Sequence, residues 1–339
     1  MGKKYLVNLP IRIQIWIRPS ILKQQFEVIK KARPSVLFLV SDGPRNEEEK
    51  KLINESRSIV ENIDWECTVY RMYENSNIGM YAMGKKARDF IFSKVDRCAF
   101  MEDDYIPSVS YFSFCAELLE KYKNDLRVIM INGNNQLGTY DKPTSDYFFS
   151  HEGSIWGAAY WKRTYDKHYD TDFLNDPYIK SKLIEQGKVI KRSKFINKTT
   201  QRAFDEVYMT GSEYNLGIIK CLQNQLIIVP TKNLISNLGN DDKATHSSEY
   251  KKMPRAMRKI FHSKTYEYDF PLKHPKYVMP DYYYSKQIRK ILGHGEYRYV
   301  IYLQKLESFI LHVFYGDFNR INKKIIEYVR GIFKLKQSR

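Results

Sequence analysis

The sequence predicts an α/β fold, with a mixed, mostly parallel sheet flanked by helices and a basic helical C-terminal region. Three observations predict it. Short apolar, β-rich runs alternate with helical stretches through about residue 135, as strands joined by helical crossovers do. Runs such as "SVLFLV" are apolar without alternation, which suits strands covered on both faces. The basic residues gather at one end: residues 251–339 carry 20 Lys/Arg against 7 Asp/Glu, whereas the first 250 carry 36 against 32.

In chain order, "IRIQIWI" reads as a strand, "SILKQQFEVIKKA" as a helix and "SVLFLV" as a buried strand ending at "SDGP". "NEEEKKLINESRSIVENI" is a helix with its acids in the first turn, where the helix dipole favours them. There follow "ECTVYRMY" (strand), "GMYAMGKKARDFIFSKV" (helix), "RCAFM" (strand), "SVSYFSFCAELLEKYK" (helix) and "RVIMING" (strand). From 136 to 250 the pattern is less regular, with aromatic clusters, a helical "DEVYMTGSEYNLGIIKCLQN" and a strand-like "LIIVP". Composition shifts around Tyr250–Pro254, dividing the chain into a unit 1–250 and a basic helical region 251–339.

An apolar fraction of 43% and an aromatic fraction of 14% across 339 residues suffice for a large core and exclude a disordered chain. Four scattered cysteines, Cys67, Cys98, Cys115 and Cys221, form no C-x-x-C pair, which argues against a zinc ribbon or disulfide framework. The first twenty residues are basic and then apolar, but Asn8, Pro10, Arg12 and Gln14 break any leader core. No uncharged run is long enough to span a bilayer. The expectation is a cytoplasmic protein. The net charge of +17, mostly in the last quarter, points to a localised anionic partner.

The chemistry centres on "RCAFMEDDYIPS". A buried strand runs into Glu102, Asp103 and Asp104, and three carboxylates that close repel unless something positive joins them. A solvated turn capping the next helix is one reading. The other is a hard-cation site for Mn²⁺ or Mg²⁺ that also holds phosphate oxygens. "GMYAMGKK" matches a phosphate-binding G-x-x-x-x-G-K, but Lys86 replaces the metal-binding hydroxyl and the strand that should precede the loop is missing. Lys85 and Lys86 either face phosphate or lie exposed on a helix. In "SIWGAAYWKRTY", Trp156 suits a sugar-facing wall and Trp161 the core, with Gly157 allowing close backbone approach.

Five segments in order resemble bacterial glycosyltransferase-like proteins of the GT-A type, and more distantly the animal N-glycan N-acetylglucosaminyltransferase I. They are "IRPSILKQQFEVIKKARPSVLFLVSDGPR", the stretch from "NIGMYAMGKK" through "RCAFMEDDYIPS" to "MINGNN", "IWGAAYWKRTYDKHYD", "FDEVYMTGSEYNLGIIKC" and "IIVPTKNLISNLGNDDKATHS". The resemblance implies a nucleotide-sugar-binding, Rossmann-like domain. It implies that Arg18 and Asp42 contact the nucleotide, Asp42 accepting from a uracil ring. Asp104 would hold Mn²⁺ and through it the diphosphate, while Glu102 and Asp103 contact the donor ribose or sugar. Asp205 falls where such enzymes keep the catalytic base. The family pattern has Trp in place of Phe204, so Glu206 and Glu213 stand as substitutes. His246, by itself an ordinary surface histidine, lies in a loop the resemblance places near the metal or a phosphate.

The implied activity is that of an inverting, metal-dependent glycosyltransferase. It would move a sugar from a nucleoside-diphosphate donor, a UDP-sugar by resemblance, to a glycan or lipid-linked acceptor in bacterial surface polysaccharide synthesis. Phe318, Ile321, Ile325, Val329 and Ile332 recur at three- and four-residue steps among Arg320, Lys323, Lys324, Arg330 and Lys334. That pattern suits a helix on the anionic inner face of the cytoplasmic membrane, or one packed on protein. No nucleic-acid-binding module is recognisable. Two alternatives use the same residues differently. A sugar-phosphate nucleotidyltransferase would need a Gly-rich basic loop near the start, which "LPIRIQIWIRPS" lacks. A non-catalytic membrane-associated scaffold would show no nucleotide affinity.

Overall fold

The structure is a computed structural model that describes residues 3–170, 172–185, 212–239 and 250–318. The first half follows the sequence pattern: β1 (Val7–Ile15), α1 (Pro19–Ala32), β2 (Pro34–Ser41), α2 (Glu47–Val60), β3 (Thr68–Tyr73), α3 (Met80–Lys94), β4 (Arg97–Met101), β5 (Tyr105–Pro107), α4 (Ser110–Lys121) and β6 (Val128–Asn132). Local chemistry accounts for several boundaries. Pro19 opens α1 at a position that needs no N–H, and Leu22, Phe26 and Ile29 bury its apolar stripe. Asn46 caps α2 by accepting from the Glu49 N–H, with Glu47, Glu48 and Glu49 in the first turn. In β1, Leu9, Ile11, Ile13 and Ile15 are fully buried on one face. That strand starts four residues earlier and ends two earlier than the apolar run suggests, so Arg18 stands on the connection into α1.

The less regular middle supplies β7 (Tyr147–Ser150), β8 (Ala158–Trp161), the short helices α5 (Lys162–Tyr165) and α6 (Pro177–Glu185), then α7 (Ser212–Leu222), β9 (Leu226–Pro230) and β10 (Ile235–Asn237). Eight strands form one sheet in the order β3-β2-β1-β4-β8-β6-β9-β7. The pairs β1–β2, β2–β3, β1–β4 and β6–β9 are parallel, whereas β8 runs antiparallel between β4 and β6, and β7 antiparallel beside β9. The predicted mixed, mostly parallel α/β sheet flanked by helices is the one observed. One core cluster includes Phe26, Ile29, Phe112 and Leu118 of α1 and α4; a second includes Met83, Ala87 and Ile91 of α3.

Beyond residue 250 come α8 (Arg255–Arg258), α9 (Tyr282–Leu292) and α10 (Tyr299–Phe314). The boundary placed near residue 250 does not separate two cores. Leu272 belongs to the first cluster, and Tyr284 and Ile288 of α9 to the second. The Asp281 N–H donates to the Phe149 carbonyl at 2.7 Å, fastening the segment before α9 to β7. Among the described residues no helix is long and apolar enough to cross a membrane.

Candidate functional site

The parallel strands β1, β2 and β4 carry their C-terminal ends to one side of the sheet, and Glu102–Asp104 form the turn between β4 and β5. Ligands in open α/β sheets bind on that side. The turn is held from below by Gln25 of α1, whose Nε2 donates to the carbonyls of Glu102 and Tyr105, each at 2.7 Å. From the side it is held by β10, paired antiparallel with β5, and by the Leu238 N–H, which donates to the Asp104 carbonyl at 2.8 Å. The His262 N–H donates to the Asn237 carbonyl, so a segment beyond residue 250 supports the same wall.

The three carboxylates are not equivalent. Arg12, buried in β1, donates through Nη2 to Glu102 Oε1 at 2.6 Å, its guanidinium lying 5.5 Å from the Phe100 ring centre. Arg18 donates through Nη1 to both oxygens of Asp103, at 3.0 and 3.1 Å. Each of the first two acids therefore has a guanidinium. Asp104 pairs with no cationic side chain among the described residues, and its buried Oδ1 has no hydrogen-bond partner there. Burial, followed by the charges of Asp103 and Glu102, pushes the Asp104 carboxyl up to about 7, against the pull of Arg18. Burial also raises Asp103, with Arg18 opposing.

Gly239 makes room for Asp104. A Cβ on that residue would lie 2.0 Å from Asp104 Oδ2, a distance no real side chain tolerates. Among the described residues no group of three or more His, Cys, Asp or Glu is arranged to hold a metal ion. A protein-only cation cage is thus missing there. One buried, unpartnered carboxylate instead fits a cation whose remaining ligands are substrate phosphates and water. In that respect the residues present suit Mn²⁺ or Mg²⁺.

Other predicted residues divide between the site and the scaffold. Trp156, half-buried, packs against Tyr105 (ring centres 6.4 Å apart) and edge-on against Phe261 (4.8 Å), beside the acidic turn. Trp161 is core, its Nε1 donating to the Leu119 carbonyl at 3.0 Å. Gly157 has an internal reason to be glycine: φ is +64°, and a Cβ would meet Ile235 at 2.5 Å. Asp42 stands at the end of β2 but is engaged by its own chain. It accepts from the N–H groups of Gly43, Ile78 and Gly79 and from Asn77 Nδ2, at 2.8–3.1 Å, and is almost fully buried. Those bonds fill the four acceptor positions a carboxylate offers, leaving none for a uracil ring. Lys85 does not reach the acidic turn either. It pairs with Asp89 one helical turn on, and Lys86 with Glu74.

Asp205, Glu206 and His246 lie outside the described residues. Glu213, in the first turn of α7, lies inside them. It keeps a solvent-exposed edge, yet loss of water pushes its carboxyl up, and its charge is among those that raise the buried Tyr105 hydroxyl, after burial itself and the nearer acids. That places Glu213 within electrostatic reach of the acidic turn. Arg12 and Gln25 went unrecognised in the sequence. Arg12 carried a usable signal: an arginine inside an apolar central strand must find an acid, and "EDD" ends the adjacent strand. Gln25 carried none, because its partners are carbonyls about eighty residues away.

No protein-family model and no curated protein sequence matches the chain. Among solved structures it is similar to the crystal structure of S. aureus TarS 1-349, a bacterial glycosyltransferase, with a TM-score of 0.36 and 10% identity over 68% of this chain and 60% of that one. The chain thus spans less than two thirds of that structure. The chemical reading rests on the residues above.

Proposed function

We propose that this protein is a metal-dependent, inverting glycosyltransferase that uses a nucleoside-diphosphate sugar, with UDP as the nucleotide. The observation that carries the reading is Asp104: a buried carboxylate at a strand end, raised by burial and its acidic neighbours, and paired with no cationic side chain among the described residues, whereas Arg12 and Arg18 engage Glu102 and Asp103. A divalent cation held by Asp104 and the donor phosphates would neutralise the charge of the departing diphosphate.

The chain's own residues account for the remaining roles. Glu102 has 41% of its side chain exposed and keeps acceptor capacity for a donor hydroxyl. Asp103 is buried and acts by fixing Arg18 rather than by touching the donor itself. Trp156 offers an aromatic face beside the turn for the apolar face of a pyranose. The acceptor hydroxyl oxygen attacks the anomeric carbon as the bond to the diphosphate breaks, its electron pair leaving with the phosphate oxygen, and the hydroxyl proton passes to a carboxylate. Glu213 is our first choice for that base, because a raised carboxyl is better matched to neutral pH. Asp205, implied by the resemblance, is the second. One base opposite the leaving group gives inversion. The acceptor class is a glycan or a lipid-linked glycan of a bacterial surface polysaccharide.

The test is UDP release from a panel of UDP-sugars with Mn²⁺ and a mixed acceptor pool, comparing the parent with Glu213→Gln and Asp205→Asn. The base variant is expected to lose roughly a hundredfold or more in turnover with little change in donor affinity. Release of pyrophosphate on supplying UTP and a sugar phosphate would instead identify a nucleotidyltransferase and end this reading.

A further inference from the structure

The helix α10 is turned inside out. Its residues Gln304, Glu307 and His312 face the protein: Gln304 Nε2 donates to the Ile291 carbonyl at 2.8 Å, Glu307 accepts from the Arg255 N–H at 2.8 Å, and His312 Nδ1 lies 3.1 Å from Asp317 Oδ2. His312 is 2% exposed. Its apolar residues face outward: Tyr302, Leu303, Leu306, Phe309, Ile310 and Val313 are each 43–68% exposed. They recur at steps of three and four, so they form one stripe, about 17 Å long at helical rise. A helix bordering water shows the opposite arrangement, and contiguous apolar surface of this kind marks a contact.

The charge around the stripe selects the contact. Residues 250–318 carry 13 Lys/Arg and 6 Asp/Glu. Four of those acids are turned to the chain itself: Glu267 accepts from the Val109 and Ser110 N–H groups, Asp281 caps α9, Glu307 binds Arg255, and Asp317 pairs with Lys252. Lys286, Lys290, Arg298 and Lys305 remain exposed on α9, α10 and the turn between them. A second copy placed face to face on this stripe would bring two cationic rims together. A bilayer containing anionic lipid meets both features, apolar depth under the stripe and negative headgroups at its rim. Tyrosines along the stripe, Tyr299 and Tyr302, have the amphipathic ring that settles at the headgroup level.

We infer that α10 lies in the plane of an anionic membrane surface and docks the protein there through its outward apolar stripe. The surface is upstream of the 318–332 pattern singled out in the sequence, and its role does not depend on which reaction the acidic turn performs. The experiment is vesicle flotation of the full chain, with phosphatidylcholine vesicles and with vesicles containing about 30% phosphatidylglycerol. It is run for the parent and for Leu306→Asp/Ile310→Asp, with thermal unfolding of both. The parent is expected to float with the anionic vesicles and to bind neutral ones roughly fivefold or more weakly, with binding falling as salt rises. The double variant, whose sites are outward-facing, is expected to keep its unfolding temperature and bind anionic vesicles roughly tenfold or more weakly. A parent that stays in solution, a variant that floats as the parent does, or equal binding to neutral vesicles would each overturn the inference. So would a parent dimer that ignores vesicles and is dissolved by the same substitutions.

Discussion

Two aspartates follow two parallel strands, β2 and β4, that flank β1 in the sheet, and they do opposite things. Asp42, after β2, receives four hydrogen bonds, three of them from backbone N–H groups, and fastens the loop before α3. Asp104, near the end of β4, has a buried oxygen with no partner among the described residues, and its proton is held up to about pH 7. Sequence position alone makes both look like ligand contacts. The contrast shows that a strand-end carboxylate is a site only in so far as the fold leaves it unsatisfied. A fully bonded one is scaffold.

The contrast predicts different failures. Asp42→Ala removes a buried acceptor from four donors, one in a buried and three in part-buried hydrogen bonds, and is expected to destabilise the protein by about 3 kcal/mol in urea unfolding, the largest stability effect here. Metal-dependent nucleotide affinity of the folded fraction should change less than about threefold, since that residue has no acceptor to offer a ligand. Loss of nucleotide binding without loss of stability would reverse the assignment.

Asp104 predicts a pH dependence of the opposite kind to an ordinary paired carboxylate. Its folded value near 7 stands above the ordinary value of 3.8, so the native state holds a proton that the unfolded chain has released. This group's contribution is therefore most favourable below about pH 4 and is lost as pH rises through 7. In metal-free buffer at pH 8, Asp104→Asn is expected to stabilise the protein by about 2 kcal/mol and to flatten the slope between pH 4 and 8. An unchanged slope would mean that Asp104 is not the strained group. Gly239→Ala is the smallest change in composition. Its Cβ would displace the Asp104 carboxyl, weakening Mn²⁺-dependent nucleotide binding roughly tenfold, about 1.4 kcal/mol.

The legible parts of the chain are those whose signal is local. "SVLFLV" and "RCAFM" declare buried strands by themselves, and the alternation with helices fixes the parallel half of the sheet. The insertion of β8 between β4 and β6 is not readable, because four residues of an aromatic run acquire their place only from strands about thirty and sixty positions away. The acidic turn is legible as a charge problem, but its solution is not: Arg12 and Arg18 reach Glu102 and Asp103 from positions about ninety and eighty-five residues away. Asp42 misled because its donors, Asn77 to Gly79, arrive from another loop. The inverted polarity of α10 was hidden for the same reason. Its inward polar residues Gln304, Ser308 and Glu307 are satisfied by Ile291, Lys252 and Arg255, and nothing in the helix alone announces those partners.

The most direct test of the central claim is calorimetric titration of UDP into the purified protein, with Mn²⁺ and again with EDTA, for the parent and for Asp104→Ala. The account predicts binding that needs the metal and that disappears in the variant while the variant stays folded. UDP binding of equal strength in EDTA, or binding by Asp104→Ala as tight as the parent's, would contradict it.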